Sequence, residues 1–123
     1  MTSPVRVLLV EDSDVYRESV VFLLERREGI ELVGAVADGA SAAKACSELR
    51  PDVVVLDYRL PDMDGGEAAA ELLRRCPDVA VVFLSASAGQ AEYDAAAGAG
   101  AALVRKDEGL DKLVDAVQAA ARR

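Results

Sequence analysis

Apolar residues fall along this chain in two alternating textures. Three runs, Val7-Leu8-Leu9-Val10, Val53-Val54-Val55-Leu56 and Val81-Val82-Phe83-Leu84, have no polar interruption. Strands covered on both faces read this way, as in parallel sheets packed between helices. With their flanks they mark expected strands at Val5–Val10, Glu31–Val36, Asp52–Asp57, Val79–Leu84 and Ala101–Val104. Alternation survives in Glu31–Val36, which marks that strand as an edge. The gaps carry helical spacing instead. Tyr16, Val20, Leu23 and Leu24 share one face, as do Ala42, Ala45, Cys46 and Leu49. Ala68, Ala69, Leu72 and Cys76 make a third stripe, and Leu110, Leu113, Val114, Val117 and Ala121 the cleanest.

Punctuation agrees with the pattern. Asp64-Gly65-Gly66-Glu67 and Ser87-Ala88-Gly89-Gln90 have capping-box spacing and predict helix starts. Pro51 and Pro77 each close a helix and precede a strand, where the ring blocks helical continuation. The fourth helix is alanine-rich over Ala91–Ala99, and Arg122 and Arg123 suit the negative end of the fifth. Strict β-α alternation implies right-handed crossovers and an α/β, doubly wound parallel sheet with five helices. A chain of 123 residues supports one such domain, expected over residues 1–123.

Composition narrows the chemistry. Lys and Arg total 14 against 22 Asp and Glu, a formal charge of -8, so phosphate backbones find no basic stripe and nucleic acid is not an expected direct partner. No apolar run reaches the roughly 20 residues that span a bilayer. Met1-Thr2-Ser3-Pro4 lacks the features of a signal peptide, so the expected compartment is the cytoplasm. Histidine is absent, which removes a Ser-His-Asp triad and any phosphohistidine of the chain's own. Cys46 and Cys76 lack metal-ligand spacing and lie on apolar stripes, which suits packing.

Ligands of open α/β sheets bind outside the carboxyl ends of the strands. Read there, the chain offers Glu11-Asp12 after strand one, Asp57 closing strand three, Ser85-Ala86 after strand four and Arg105-Lys106 after strand five. Strand two ends in Ala37 and offers nothing. Three carboxylates brought together repel unless a cation joins them. Lys106 supplies one positive charge, and a divalent ion supplies the rest. Oxygen ligands without His or Cys favour Mg²⁺ over Zn²⁺. The acidic loop Glu11-Asp12-Ser13-Asp14 is neither a Gly-x-Gly-x-x-Gly turn nor a Walker A loop. With a metal present, Asp57 is a possible nucleophile toward phosphorus, with Lys106 and the Ser85 hydroxyl left to bind phosphoryl oxygens.

Those residues resemble the receiver domain of bacterial two-component response regulators, of the chemotaxis-regulator-like kind. The resemblance runs from Val5 to Ala120. It rests on Val7-Leu8-Leu9-Val10-Glu11-Asp12, Val54 to Gly65 with Asp57 and Pro61, Leu84-Ser85-Ala86, and Lys106. It implies a flavodoxin-like five-stranded sheet in the order 2-1-3-4-5. It also implies Asp57 as phosphoacceptor, Glu11 and Asp12 as the acidic pair for Mg²⁺ with the Arg59 carbonyl as a further ligand, Ser85 as the switching hydroxyl and Lys106 as the invariant lysine. The implied donor is a phosphohistidine on a sensor histidine kinase or phosphotransfer protein. Homodimerisation is a possible output, and the only catalysis is the domain's own phosphorylation and dephosphorylation.

Three departures stand out. Leu103 replaces a frequent aromatic three positions before the lysine, so the usual coupling of that ring to the Ser85 hydroxyl cannot operate. Asp107 replaces a frequent proline, and Lys106-Asp107 resembles the subfamily with a helix-turn-helix output. Arg59 and Ser87, two residues after Asp57 and Ser85, flank the expected path of attacking water and should tune phosphoryl lifetime, Arg59 as a shield. Tyr16, Tyr58 and Tyr93 read as packing or rim residues, and Asp62, Asp64 and Gly65 as loop and helix start. The chain as given reads as stand-alone, acting by docking to a partner. Two other functions compete. An aspartyl-phosphate phosphatase of the haloacid-dehalogenase-like kind needs an acid where Arg59 stands and a cap insertion. A pseudo-receiver would bind partners without phosphorylation, a reading that Leu103 leaves room for.

Overall fold

A computed structural model describes residues 3–87 and 89–122. Met1, Thr2, Ala88 and Arg123, on which the signal-peptide, capping and helix-end readings partly drew, lie outside the described residues. Five strands alternate with five helices: β1 (Val5–Val10), α1 (Asp14–Glu25), β2 (Ile30–Val36), α2 (Gly39–Leu49), β3 (Val53–Asp57), α3 (Gly65–Arg75), β4 (Ala80–Ser85), α4 (Gln90–Ala99), β5 (Ala102–Arg105) and α5 (Leu110–Ala121). The strands are all parallel and ordered β2-β1-β3-β4-β5. β2 is an edge, as its weak alternation predicts, and its pairing with β1 slips by one residue between Val7 and Leu8, opposite Leu32 and Gly34.

The uninterrupted strands split their side chains between two cores, because alternate residues point to opposite faces. Val7, Leu9, Val53, Val55, Val82 and Leu84 pack under α1 and α5 against Val20, Leu24, Val114 and Val117. Leu8, Val10, Val54, Leu56, Val81 and Phe83 pack under the other helices against Ala42, Cys46, Ala69, Leu72 and Ala96. Each large side chain removed from water contributes about 1.5–3 kcal/mol, so both faces hold the central strands. On α1 the stripe differs from its spacing. Val20 and Leu24 are buried, Tyr16 is half-buried, and Leu23 is 42% exposed, because the helix centres its inner face on Val20 and Leu24.

The helices are closed as their flanking residues dictate. Ser13, Asp38 and Asp64 cap α1, α2 and α3 through side-chain oxygens that accept from the main-chain N–H of Tyr16, Ser41 and Glu67. The fourth helix departs from the Ser87–Gln90 expectation. It begins at Gln90 behind Gly89, and the acid that reaches back is Glu92, which accepts from Gly89 N at 3.1 Å and Ser87 Oγ at 2.8 Å. These two donors let Glu92 sit buried. Arg50 ends α2 in the left-handed conformation (φ 51°), and the buried Pro51 follows it. A 3₁₀ turn, Lys106–Glu108, precedes α5; the strand pattern did not predict it. Gly109 (φ 90°) takes the chain from that turn into α5.

Gly65 has a packing reason of its own. A Cβ there would lie 2.7 Å from the Tyr58 Cα and 3.0 Å from the Phe83 ring, while Gly65 N donates to Tyr58 O at 2.5 Å. We expect Gly65→Ala to lower stability by about 2 kcal/mol, since the clash is with backbone that cannot rotate away. Thermal denaturation reads this directly; a melt equal to wild type would show that the turn has slack.

Candidate functional site

The carboxyl ends of β1, β3, β4 and β5 meet on one rim, and the strand order makes β1 the neighbour of β3. That adjacency, Val10 beside Leu56 in the ladder, carries Glu11 and Asp12 to the side of Asp57. One carboxylate oxygen from each of Glu11, Asp12 and Asp57 lies within 4.8 Å of the others, so the three could hold a metal ion. Their surroundings differ. Glu11 is fully buried, Asp57 is 4% exposed, and Asp12 faces solvent.

Hydrogen bonds set the orientation of each group. Glu11 Oε2 accepts from Ser13 N at 2.9 Å, which folds the acidic loop back on itself. Glu11 Oε1 is buried and has the Lys106 ammonium as its partner, an ion pair at 2.6 Å. Asp57 Oδ1 accepts from Arg59 N at 3.2 Å, and Asp57 Oδ2 from Lys106 Nζ at 3.3 Å. Lys106 thus spans the two buried acids from the turn after β5. Ser85 ends β4, next to the Leu84 that pairs with Asp57, and its buried hydroxyl accepts from Ser87 N at 3.3 Å. Arg59 is exposed beyond Asp57, and Leu103 packs half-buried against the core under α4.

The electrostatics follow from one cation among three anions. Burial pushes the Asp57 carboxyl up to about 6; the N–H of Arg59 opposes this, Glu11 adds to it, and Lys106 opposes it. Burial on its own would lower the Lys106 ammonium, but Glu11 and Asp57 outweigh it and hold that group above its usual value. The site therefore carries an excess of negative charge, with one ammonium shared between two buried acids, and a hard divalent cation at Glu11, Asp12 and Asp57 could offset it.

Several residues that shape this site escaped the sequence reading. Arg17 donates to the Glu11 carbonyl at 2.7 Å and to Asp14 at 2.6 Å, bracing the loop from α1. The Tyr16 ring lies under the Lys106 ammonium at 4.5 Å, so Tyr16 is more than a packing residue. Asp62 accepts from Gly39 N at 2.9 Å and Ala40 N at 3.0 Å, so this loop residue supplements the Asp38 cap at the start of α2. Only Arg17 has a local signal, a basic residue in the first turns of a helix behind an acidic loop. Cys46 is buried with its thiol pushed up to about 12, by burial and by the neighbouring Cys76, and both cysteines are free. That is the inert setting expected of packing cysteines.

Comparison with known proteins points the same way. Residues 7–118 match the response regulator receiver domain family. Response regulator GacA of Pseudomonas aeruginosa is 35% identical over 115 residues, covering 93% of this chain and 54% of that protein. A protein-glutamate methylesterase/protein-glutamine glutaminase of Alkalilimnicola ehrlichii is 42% identical over 81 residues, covering 66% of this chain and 21% of that protein. The chain thus spans about a fifth to a half of these relatives. Among solved structures, the signal receiver domain of the response regulator NarL from Mycobacterium tuberculosis superposes with a TM-score of 0.89 at 34% identity, over 98% of both chains. The response regulator domain of Thermotoga maritima CheB superposes with 0.87 at 26% identity, again over 98% of both. With the sheet order, the acidic rim and the lysine that bridges it already in place, this match over residues 7–118 makes the chain a member of the response regulator receiver domain family of two-component systems.

Proposed function

We propose that residues 1–123 act as one receiver domain that takes a phosphoryl group on Asp57 from a phosphohistidine of a sensor kinase or phosphotransfer protein. The observation that carries this reading is a buried carboxylate at a strand end, 3.3 Å from Lys106 and grouped with Glu11 and Asp12. Glu11, Asp12 and Asp57 would hold Mg²⁺, with the Arg59 carbonyl as the further ligand carried over from the family. When bound, the ion supplies positive charge toward the transferring phosphoryl oxygens.

The chain's own residues do the rest. An Asp57 oxygen attacks phosphorus; the O–P bond forms as the donor's P–N bond breaks, and the imidazole leaves with its electron pair. Lys106 holds a phosphoryl oxygen once it turns from Asp57, and the Ser85 hydroxyl, which accepts from Ser87 N, turns its own O–H to donate to another. Added charge at Asp57 then biases a two-state equilibrium in the neighbouring loops and helices, which changes partner or dimer affinity. Leu103 removes the aromatic rotamer from this relay, so Ser85 acts on the β4–α4 loop through Ser87. Arg59 and Ser87 flank the phosphoryl group and tune its lifetime. The domain turns over only its own phosphoryl group, works in the cytoplasm and touches neither nucleic acid nor membrane directly. Among the described residues no helix is long and apolar enough to cross a membrane.

The test is acetyl phosphate, or a beryllofluoride mimic, with Mg²⁺. We expect intact-mass measurement to show one added phosphoryl group in the wild-type chain and none in Asp57→Ala. An equal gain in the variant would refute the assignment. Calorimetric titration separates the pseudo-receiver alternative, which predicts no Mg²⁺ binding. Arg59, standing where a haloacid-dehalogenase-like phosphatase needs an acid, argues against that enzyme; turnover of a phosphomonoester would restore it.

A further inference from the structure

The Lys106 ammonium has three N–H groups and three neighbours. Two are the carboxylates of Glu11, at 2.6 Å, and Asp57, at 3.3 Å. The third is the Tyr16 ring, whose centroid lies 4.5 Å from Nζ. Aromatic faces attract ammonium groups within about 6 Å, and more strongly where water is scarce. Tyr16 is half-buried in the first turn of α1, and its main-chain N–H is held by Ser13 Oγ at 3.4 Å. The backbone that carries the ring is therefore tied to the same acidic loop that carries Glu11.

The three neighbours do not compete equally. A divalent cation at the acidic cluster draws on Glu11 and Asp57, the two groups that hold Lys106. As their charge is shared with the metal, their pull on the ammonium weakens, and a four-carbon lysine stem is free to swing toward water. A neutral ring loses nothing to a hard oxygen-seeking ion. The geometry points to Tyr16 as the positioning residue for Lys106, the π-face that keeps the ammonium over the site when metal has taken the carboxylates. This deepens the phosphoacceptor reading and rests on it.

The experiment compares the wild-type chain with Tyr16→Phe, which keeps the face, and with Tyr16→Leu and Tyr16→Met, which keep only apolar bulk. The chain has three lysines, Lys44, Lys106 and Lys112, so the Lys106 side-chain signals can be assigned by NMR. Ring current should shift the Lys106 ε-methylene protons upfield in the wild-type and Phe chains, with and without saturating Mg²⁺, and not in the Leu and Met chains. Phosphoryl uptake from acetyl phosphate at saturating Mg²⁺ should slow by about three- to tenfold in the Leu and Met chains and recover in the Phe chain. Working at saturating Mg²⁺ keeps any change in metal affinity from passing as slow uptake.

An unshifted Lys106 signal in Mg²⁺-loaded wild type overturns the proposal. So does uptake by a folded Leu or Met chain at the wild-type rate, or a Phe chain as slow as those two. If even the wild-type chain takes up no phosphoryl group, the phosphoacceptor reading falls, and the NMR shift alone decides whether Tyr16 positions Lys106.

Discussion

Lys106→Met should cost the metal-free protein about 3 kcal/mol of stability at pH 7, because it leaves two buried carboxylates without their cation. Glu11 is fully buried, and its Oε1 has Lys106 as its ion-pair partner at 2.6 Å; Asp57 is 4% exposed and shares the same ammonium at 3.3 Å. Part of the loss is relieved by protonation of Asp57, whose carboxyl already sits at about 6. Two further effects follow from the same geometry. Mg²⁺ should bind several-fold more tightly, since a competing cation has gone, and should restore much of the lost stability. Phosphoryl uptake should nevertheless fall by about a hundredfold, because one fixed charge on the transferring group is missing. Thermal melts with and without Mg²⁺ and calorimetric titration measure the first two. A metal-free variant as stable as wild type would mean that the acids are neutralised by something other than Lys106.

Asp57→Asn should act in the opposite direction. Burial raises the Asp57 carboxyl from 3.8 to about 6, so the folded chain holds this proton more tightly than the unfolded chain does. Its contribution to stability is therefore greatest below pH ~4 and is lost as pH rises through ~6. The amide has no charge to bury. The metal-free variant should be more stable than wild type by about 2 kcal/mol at pH 7, and the two should converge near pH 4. Saturating Mg²⁺ should erase the advantage, because it stabilises only the chain with a complete carboxylate set. Denaturant titrations across this pH range are the check. A constant difference between the two chains, independent of pH, would show that Asp57 titrates as an ordinary surface acid.

Much of this molecule can be read from residue order. The runs at Val7, Val53 and Val81 name central strands because burial on both faces removes any need for polar residues, and the weaker Ile30–Val36 becomes an edge. Boundaries slip by a residue or so, since Ser85 and Arg105 continue their ladders despite polar side chains. Glu11, Asp12, Asp57 and Lys106 are legible because each stands at a strand end, where the topology forces convergence. What stayed hidden depends on contacts between distant segments. Asp62 has no neighbour in sequence that marks it as a second acceptor at the start of α2, beside the Asp38 cap, and Tyr16 fits an apolar stripe as well as it fits beneath a lysine. In sequence Glu92 is indistinguishable from an ordinary helical acid, though two donors ahead of its helix let it be buried.

The two loops beside Asp57 are built with unequal stiffness. The one leading to α3 is clamped three ways: Gly65 N to Tyr58 O, Leu60 N to Met63 O, and Asp62 to the start of α2. Among the described residues, the one leading to α4 is held only between its own flanks, Ser87 to Ser85 on one side and Ser87 and Gly89 to Glu92 on the other, with no tie to a neighbouring helix. A push delivered at Asp57 meets a stator on the first side and a hinge on the second. Displacement should therefore travel outward along α4 and leave α2 and α3 standing still as the frame against which that movement is read.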